Sequence, residues 1–163
     1  MKQCAFLRGI NVGGVKIKMA DLKADFETAG FENVETVLAT GNVIFDASSA
    51  LTDFSFLPVK AFVRSDRDLR SMLASCPFAP DEDLHIYVWL TAPDFAQEAL
   101  DIFNGLGKLD GEAAAVVNDV FYWQVPKGFT LDSPFAKEHS KKKYADKFTS
   151  RNLNTIERIV KKL

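Results

Sequence analysis

Apolar positions along this chain switch between two periods, and each switch predicts an element. Residues Lys2–Leu7 form a short, mostly apolar run that reads as a first strand. Met19, Leu22, Phe26 and Ala29 then recur three and four apart, which is the buried stripe of an amphipathic helix. Asp21 lies in that helix's first turn, where the dipole favours negative charge, and Gly30 is placed to end it in a left-handed turn covered by Phe31. Residues 34–39 and 43–46 read as strands, with Gly41-Asn42 as a two-residue hairpin turn between them. Residues 47–57 carry Leu51, Phe54 and Leu57 at near-helical spacing and predict a helix of about two or three turns. Residues 59–64 alternate as a strand. Ser65 and Asp68 resemble a capping box ahead of Leu69, Met72, Leu73 and Cys76, with Pro77 as the stop.

The second half repeats this order of elements without repeating its residues. Leu84–Thr91 is apolar on both faces and predicts a central strand. Pro93-Asp94 opens a helix with Phe95, Ala99, Leu100 and Phe103 inward, and Gly105 and Gly107 end it. Residues 113–117 and 120–125 predict a hairpin about Asn118-Asp119. In it, Phe121 and Trp123 face the helices and Tyr122 points outward. Residues 133–148 are basic and partly helical. A last helix is expected over about residues 152–162, with Leu153, Ile156, Ile159 (or Val160) and Leu163 inward. A repeated β-α-β-β order is the ferredoxin-like signature. The expectation is therefore an α/β (α+β) protein of two ferredoxin-like β-α-β-β-α subdomains, residues 1–78 and 79–163, with mainly antiparallel sheets and helices on one face.

Composition narrows the picture. Fourteen Phe in 163 residues provide large core volume, and a hydrophobic fraction of 47% with 26% charged residues is ordinary for a globular protein. No apolar run reaches the length of a membrane span, and the first residues show no signal-peptide pattern. Two cysteines, Cys4 and Cys76, supply no disulfide framework, so a reducing cytoplasm is the expected location. The net charge of −2 hides an asymmetry: from Lys127 onward there are ten Lys/Arg against four Asp/Glu. That tail suits an anionic partner or attraction within the chain, while the total argues against strong nonspecific nucleic-acid binding.

The densest polar motif is Arg8-Gly9-Ile10-Asn11-Val12-Gly13-Gly14, between the first strand and the first helix. Glycines let backbone N–H groups approach an anion, and arginine offers a bidentate fork. The spacing matches neither the phosphate-binding P-loop nor the dinucleotide fingerprint. A structural turn in which Arg8 pairs with a carboxylate competes with the binding reading. If the first and third strands are antiparallel neighbours, the end of one meets the start of the other, bringing Arg8 near Asn42. Arg151 precedes the last helix, where a cation opposes the dipole unless it shares an anion with the exposed N–H groups. The expected site is one anion groove lined by Arg8, Asn11, Gly13, Gly14, Asn42, Arg151 and Asn152.

The sequence names no catalytic group, and no metal site or cofactor is expected. His85 reads as a satisfied core or strand-end residue, and His139, beside Lys141-Lys142-Lys143, as part of a solvated face. Both cysteines read as buried small hydrophobes.

The loop motif is followed by Met19-Ala20-Asp21-Leu22, Thr40-Gly41-Asn42-Val43 and Thr149-Ser150-Arg151-Asn152-Leu153-Asn154-Thr155. In that order these motifs resemble the bacterial domain-of-unknown-function family 1697 (DUF1697), from Lys2 to the C-terminus. The resemblance implies two ferredoxin-like halves and brings no established activity. The chain departs from the family pattern at residues 47–57, where a longer helix is usual. It departs again at Pro134, within a segment that is usually Gly-Ser-basic. The leading functional expectation is a noncatalytic module binding a phosphate-bearing ligand, either a nucleotide or nucleic acid. Two alternatives stand beside it. One is a small enzyme acting on an anionic metabolite. The other is an interaction module that dimerises or recruits a partner through open sheet edges.

Overall fold

The computed structural model describes residues 2–11, 14–46 and 53–163. Two compact units divide the chain: Met1–Arg70 together with Arg158–Leu163, and Ser71–Glu157.

The first unit runs β1 (Lys2–Leu7), α1 (Met19–Thr28), β2 (Glu32–Thr36), β3 (Asn42–Asp46), β4 (Ala61–Ser65) and the start of α2 (Asp66–Ala74). Its four strands lie in the order β2-β3-β1-β4, and every pairing is antiparallel. The sequence signals explain the ends of α1. Leu22 and Phe26 are its buried stripe, Gly30 takes φ +98°, and the Phe31 N–H closes on the Phe26 carbonyl at 3.1 Å. Phe31 then packs on Phe26 with ring centroids 5.3 Å apart. The core under α1 gathers Ala5, Leu7, Val43, Phe45, Leu22 and Phe26. The opposite face carries Cys4, Phe6, Ile44 and Phe62, also buried. Ser65 caps α2 as expected, accepting from the Asp68 N–H at 3.1 Å.

The second unit contains the end of α2, then β5 (Leu84–Thr91), α3 (Phe95–Asn104), β6 (Ala113–Val117), β7 (Val120–Pro126), α4 (Pro134–His139), a 3-10 turn (Lys142–Tyr144), β8 (Phe148–Asn152) and most of α5 (Leu153–Val160). Its sheet order is β6-β7-β5-β8, again antiparallel throughout. Numbered within its own unit, each sheet reads 4-1-3-2, the ferredoxin-like arrangement. Trp89, Phe95, Phe103, Phe121, Trp123, Phe135 and Phe148 form the aromatic core beneath the helices. Asn118 and Asp119 both adopt left-handed φ, 51° and 62°, the two-residue turn that matches strand twist. No described helix is long and apolar enough to cross a membrane.

Four local expectations need correction. The β2–β3 turn is not Gly41-Asn42: Asn42 is the first residue of β3, and the Val37 N–H reaches back to its carbonyl at 2.9 Å. Residues 53–57 form a turn, not a helix, with the Leu57 N–H on the Phe54 carbonyl; residues 47–52 of that expected helix lie outside the described residues. Residues 148–152 form a strand, β8, which pairs with β5 and supplies the fourth strand of the second sheet. Tyr122 does not point outward. It is fully buried, and its hydroxyl donates to the Met72 carbonyl at 2.7 Å.

Candidate functional site

The Arg8 loop is shaped by its own polar groups. As β1 ends, the Leu7 N–H donates to the Gly41 carbonyl and the Arg8 N–H to the Lys60 carbonyl, at 2.9 and 3.0 Å. The chain turns through Gly9 at φ +72° and buries Ile10. It reverses at Asn11, which sits at φ +60° and is held by its N–H on the Val15 carbonyl. The Asn11 amide then ties three strands of loop together. Its Nδ2 donates to the carbonyls of Ile17 and Ala39, at 2.9 and 2.8 Å, and its Oδ1 accepts from the Ile17 N–H at 3.0 Å. A Cβ on Gly14 would run into the Gly9 carbonyl oxygen, so glycine is required there by close backbone approach. Gly13 lies outside the described residues.

Asn42 is directly opposite Phe6, so the end of β1 does meet the start of β3. It is fully buried, and its Nδ2 donates to the Val37 carbonyl at 2.9 Å and the Thr40 hydroxyl at 3.0 Å. Both asparagines therefore hold loop shape. Arg8 is half-buried, and burial pulls its guanidinium below the usual arginine range.

Arg151 occupies a different setting from the one expected. It lies inside β8 opposite Val88, and its side chain is held within that strand. It is only 8% exposed, and one guanidinium nitrogen donates to the Thr149 hydroxyl and the Ser150 carbonyl, at 2.8 and 2.9 Å. α5 starts two residues later, at Leu153, but the guanidinium is engaged within β8 by the Thr149 hydroxyl and the Ser150 carbonyl. Asn152 is the cap: its Oδ1 accepts from the Asn154 N–H at 2.9 Å. Thus Arg8, Asn11 and Asn42 belong to the first unit, and Arg151 and Asn152 to the second.

The other face of Asn152 leads to a feature that sequence reasoning did not find. Its Nδ2 is 3.2 Å from Nδ1 of His85, near the start of β5. Around this pair lies a cleft of about 280 Å³, lined also by Asp81, Lys127, Asn154 and Glu157. If the amide donates, the imidazole proton resides on Nε2. The one signal in the sequence was a histidine at the polar end of an otherwise apolar strand.

His139 needs the opposite correction. It is not on a solvated face: its ring meets Trp89, Trp123, Phe135 and Phe148 edge-on at 5.1–5.7 Å. The neighbouring lysines do lie in solvent, and two of them surround Glu138. Lys141, the Tyr144 hydroxyl and Lys143 hold that carboxyl down at a pKa of about 2. Cys4 is buried, and burial pushes the half-buried Cys76 thiol upward, away from thiolate chemistry. Among the described residues, no group of three or more His, Cys, Asp or Glu is arranged to hold a metal ion.

Residues 1–122 match the model of a family described as "Protein of unknown function (DUF1697)". No curated protein matches. Among solved structures, a conserved bacterial protein from Streptococcus pneumoniae is similar in fold, with a TM-score of 0.73 and 21% identity over 98% of this chain and 97% of that one.

Proposed function

We propose that this chain, which belongs to the DUF1697 family, is a noncatalytic binding module for a small phosphate-bearing ligand. The observation that carries the reading is the cleft of about 280 Å³ around His85 and Asn152. Lys127 supplies an ammonium group for a phosphate, and the His85 imidazole and the Asn152 and Asn154 amides supply donors. Asp81 and Glu157 accept from the hydroxyls or amines that a sugar or base would present. The volume is near the lower end for ligand sites, which suits a single nucleotide or sugar phosphate better than a polymer. The net charge of −2 points the same way. Of the residues expected to line an anion groove, Asn152 contributes to this cleft. Arg8 remains a second anion contact in its own unit.

One observation favours a second reading, a small enzyme acting on an anionic metabolite. An imidazole oriented by an amide 3.2 Å from Nδ1 is the kind of group that serves as a general acid or base. A thermal-shift screen with nucleotides, sugar phosphates and polyphosphates tests both readings, because a ligand of the folded state raises the melting temperature. The expected result is stabilisation by one phosphate class, lost in His85→Ala and Lys127→Ala and kept in Arg8→Ala. Loss in Arg8→Ala alone transfers the site to the loop. Turnover of the stabilising compound makes the chain an enzyme, and no shift with any compound overturns the proposal.

A further inference from the structure

The four edge strands of the two sheets are not protected equally. β2 carries Glu32 and Glu35, and its register shifts between them, with Asn33 at φ +51°. β4 carries Arg64 and β8 carries Arg151. Charges and bulges of this kind are what keep an edge from pairing with another chain. The fourth edge, β6, reads Ala113-Ala114-Ala115-Val116-Val117. It has no charge, proline or bulge, every residue is partly exposed, and all five are in unbroken register with β7.

The hydrogen-bond phase of this edge follows from the turn. In a two-residue hairpin the flanking residues, Val117 and Val120, form a mutually hydrogen-bonded pair. The bonded pairs toward β7 are then Val117, Ala115 and Ala113, so the N–H and C=O groups of Ala114 and Val116 point away from the sheet. We propose that β6 is a homodimerisation edge, pairing antiparallel with β6 of a second copy of this chain. The register is set by those groups: Ala114 bonds Val116 of the other copy, and Val116 bonds its Ala114, giving four backbone hydrogen bonds. The two-fold axis then passes between the two Ala115 residues. They form a non-hydrogen-bonded pair, where the strands' Cα atoms approach most closely, at about 4.5 Å, and alanine fits that approach. A second copy is the natural occupant because the edge is neutral and complementary to itself. Its helix-side residues, Ala114 and Val116, pack on the aromatic core and would continue that face across the joint. The pairing is independent of the ligand reading.

Sedimentation equilibrium of the full chain, from low to high micromolar concentration, is the test. The expected result is a dimer of twice the 18.1 kDa chain mass. Ala114→Pro, which removes only an outward N–H, should be a folded monomer by circular dichroism. A wild type that stays monomeric throughout overturns the proposal, as does a folded Ala114→Pro that still dimerises. If that variant fails to fold, amide exchange in the wild type decides. Ala114 and Val116 amides that slow only where the dimer forms support the pairing, and amides that stay fast in the dimer overturn it.

Discussion

Asn11 separates a structural loop from a binding loop, and its replacement can be worked through from the geometry. Its side chain makes three hydrogen bonds, two to Ile17 and one to Ala39, in an exposed loop. Each such bond is worth about 0.5–1 kcal/mol net where water competes, so Asn11→Gly should lose about 1.5–3 kcal/mol. Asn11→Ala loses the same bonds and must also hold alanine at φ +60°. That left-handed backbone adds about 1 kcal/mol. With about 2–4 °C per kcal/mol for a chain of this size, melting should fall by roughly 3–12 °C in Asn11→Gly, and further in Asn11→Ala. The assay is thermal and urea unfolding by far-ultraviolet circular dichroism. Tryptophan fluorescence alone is unsuitable, because Trp89 and Trp123 both lie in the other unit. If both variants stay within about 0.5 kcal/mol of wild type, a typical neutral surface change, the strut assignment is wrong and the amide is available to a ligand. If Asn11→Ala is no less stable than Asn11→Gly, the backbone part of the reasoning fails.

Three further outcomes are expected. Burial, with a smaller contribution from Cys76, raises the Tyr122 phenol above its ordinary range. Its contribution to stability is therefore complete below its unfolded value, about pH 10, and declines above it. Urea unfolding between pH 8 and pH 11 should show this decline in wild type and a flatter profile in Tyr122→Phe; parallel profiles would contradict it. Glu138, held at about pKa 2, should show its carboxyl titration by NMR well below the usual range. Its contribution is present above about pH 4.3, the unfolded value, and is lost as pH falls. Lys141→Ala should move the midpoint upward, and an unmoved midpoint would count against the Lys141 contact. Gly14→Ala drives a methyl group into the Gly9 carbonyl and should cost about 1–3 kcal/mol in the same unfolding assay. A neutral result would show that the loop opens freely.

Everything the sequence determined alone came from interactions a few residues long. β1 and β5 begin and end where their apolar runs do, because strand burial leaves a direct mark on residue type. The Ser65 cap, the Gly30 stop and the Asn118-Asp119 turn were legible because each satisfies nearby backbone groups or needs φ > 0. The repeated element order then implied two ferredoxin-like units, and the topology brought the end of β1 to the start of β3. What remained was decided by partners distant in sequence. β8 has its partner, β5, some sixty residues earlier, and its Thr, Ser, Arg and Asn carry no apolar run. That strand, unseen, made Arg151 look like a helix-end cation. Tyr122 is buried and His139 half-buried because the Met72 carbonyl meets the one and a ring of aromatics the other. Asn11 and Asn42 looked like ligands because an asparagine amide serves a loop or a ligand equally well, and only the positions of Ile17, Ala39 and Val37 settle which backbone it meets. The cleft at His85 has the same origin: Asn152 is a cap by local rule, and only the β5–β8 pairing sets its other face against an imidazole 67 residues away.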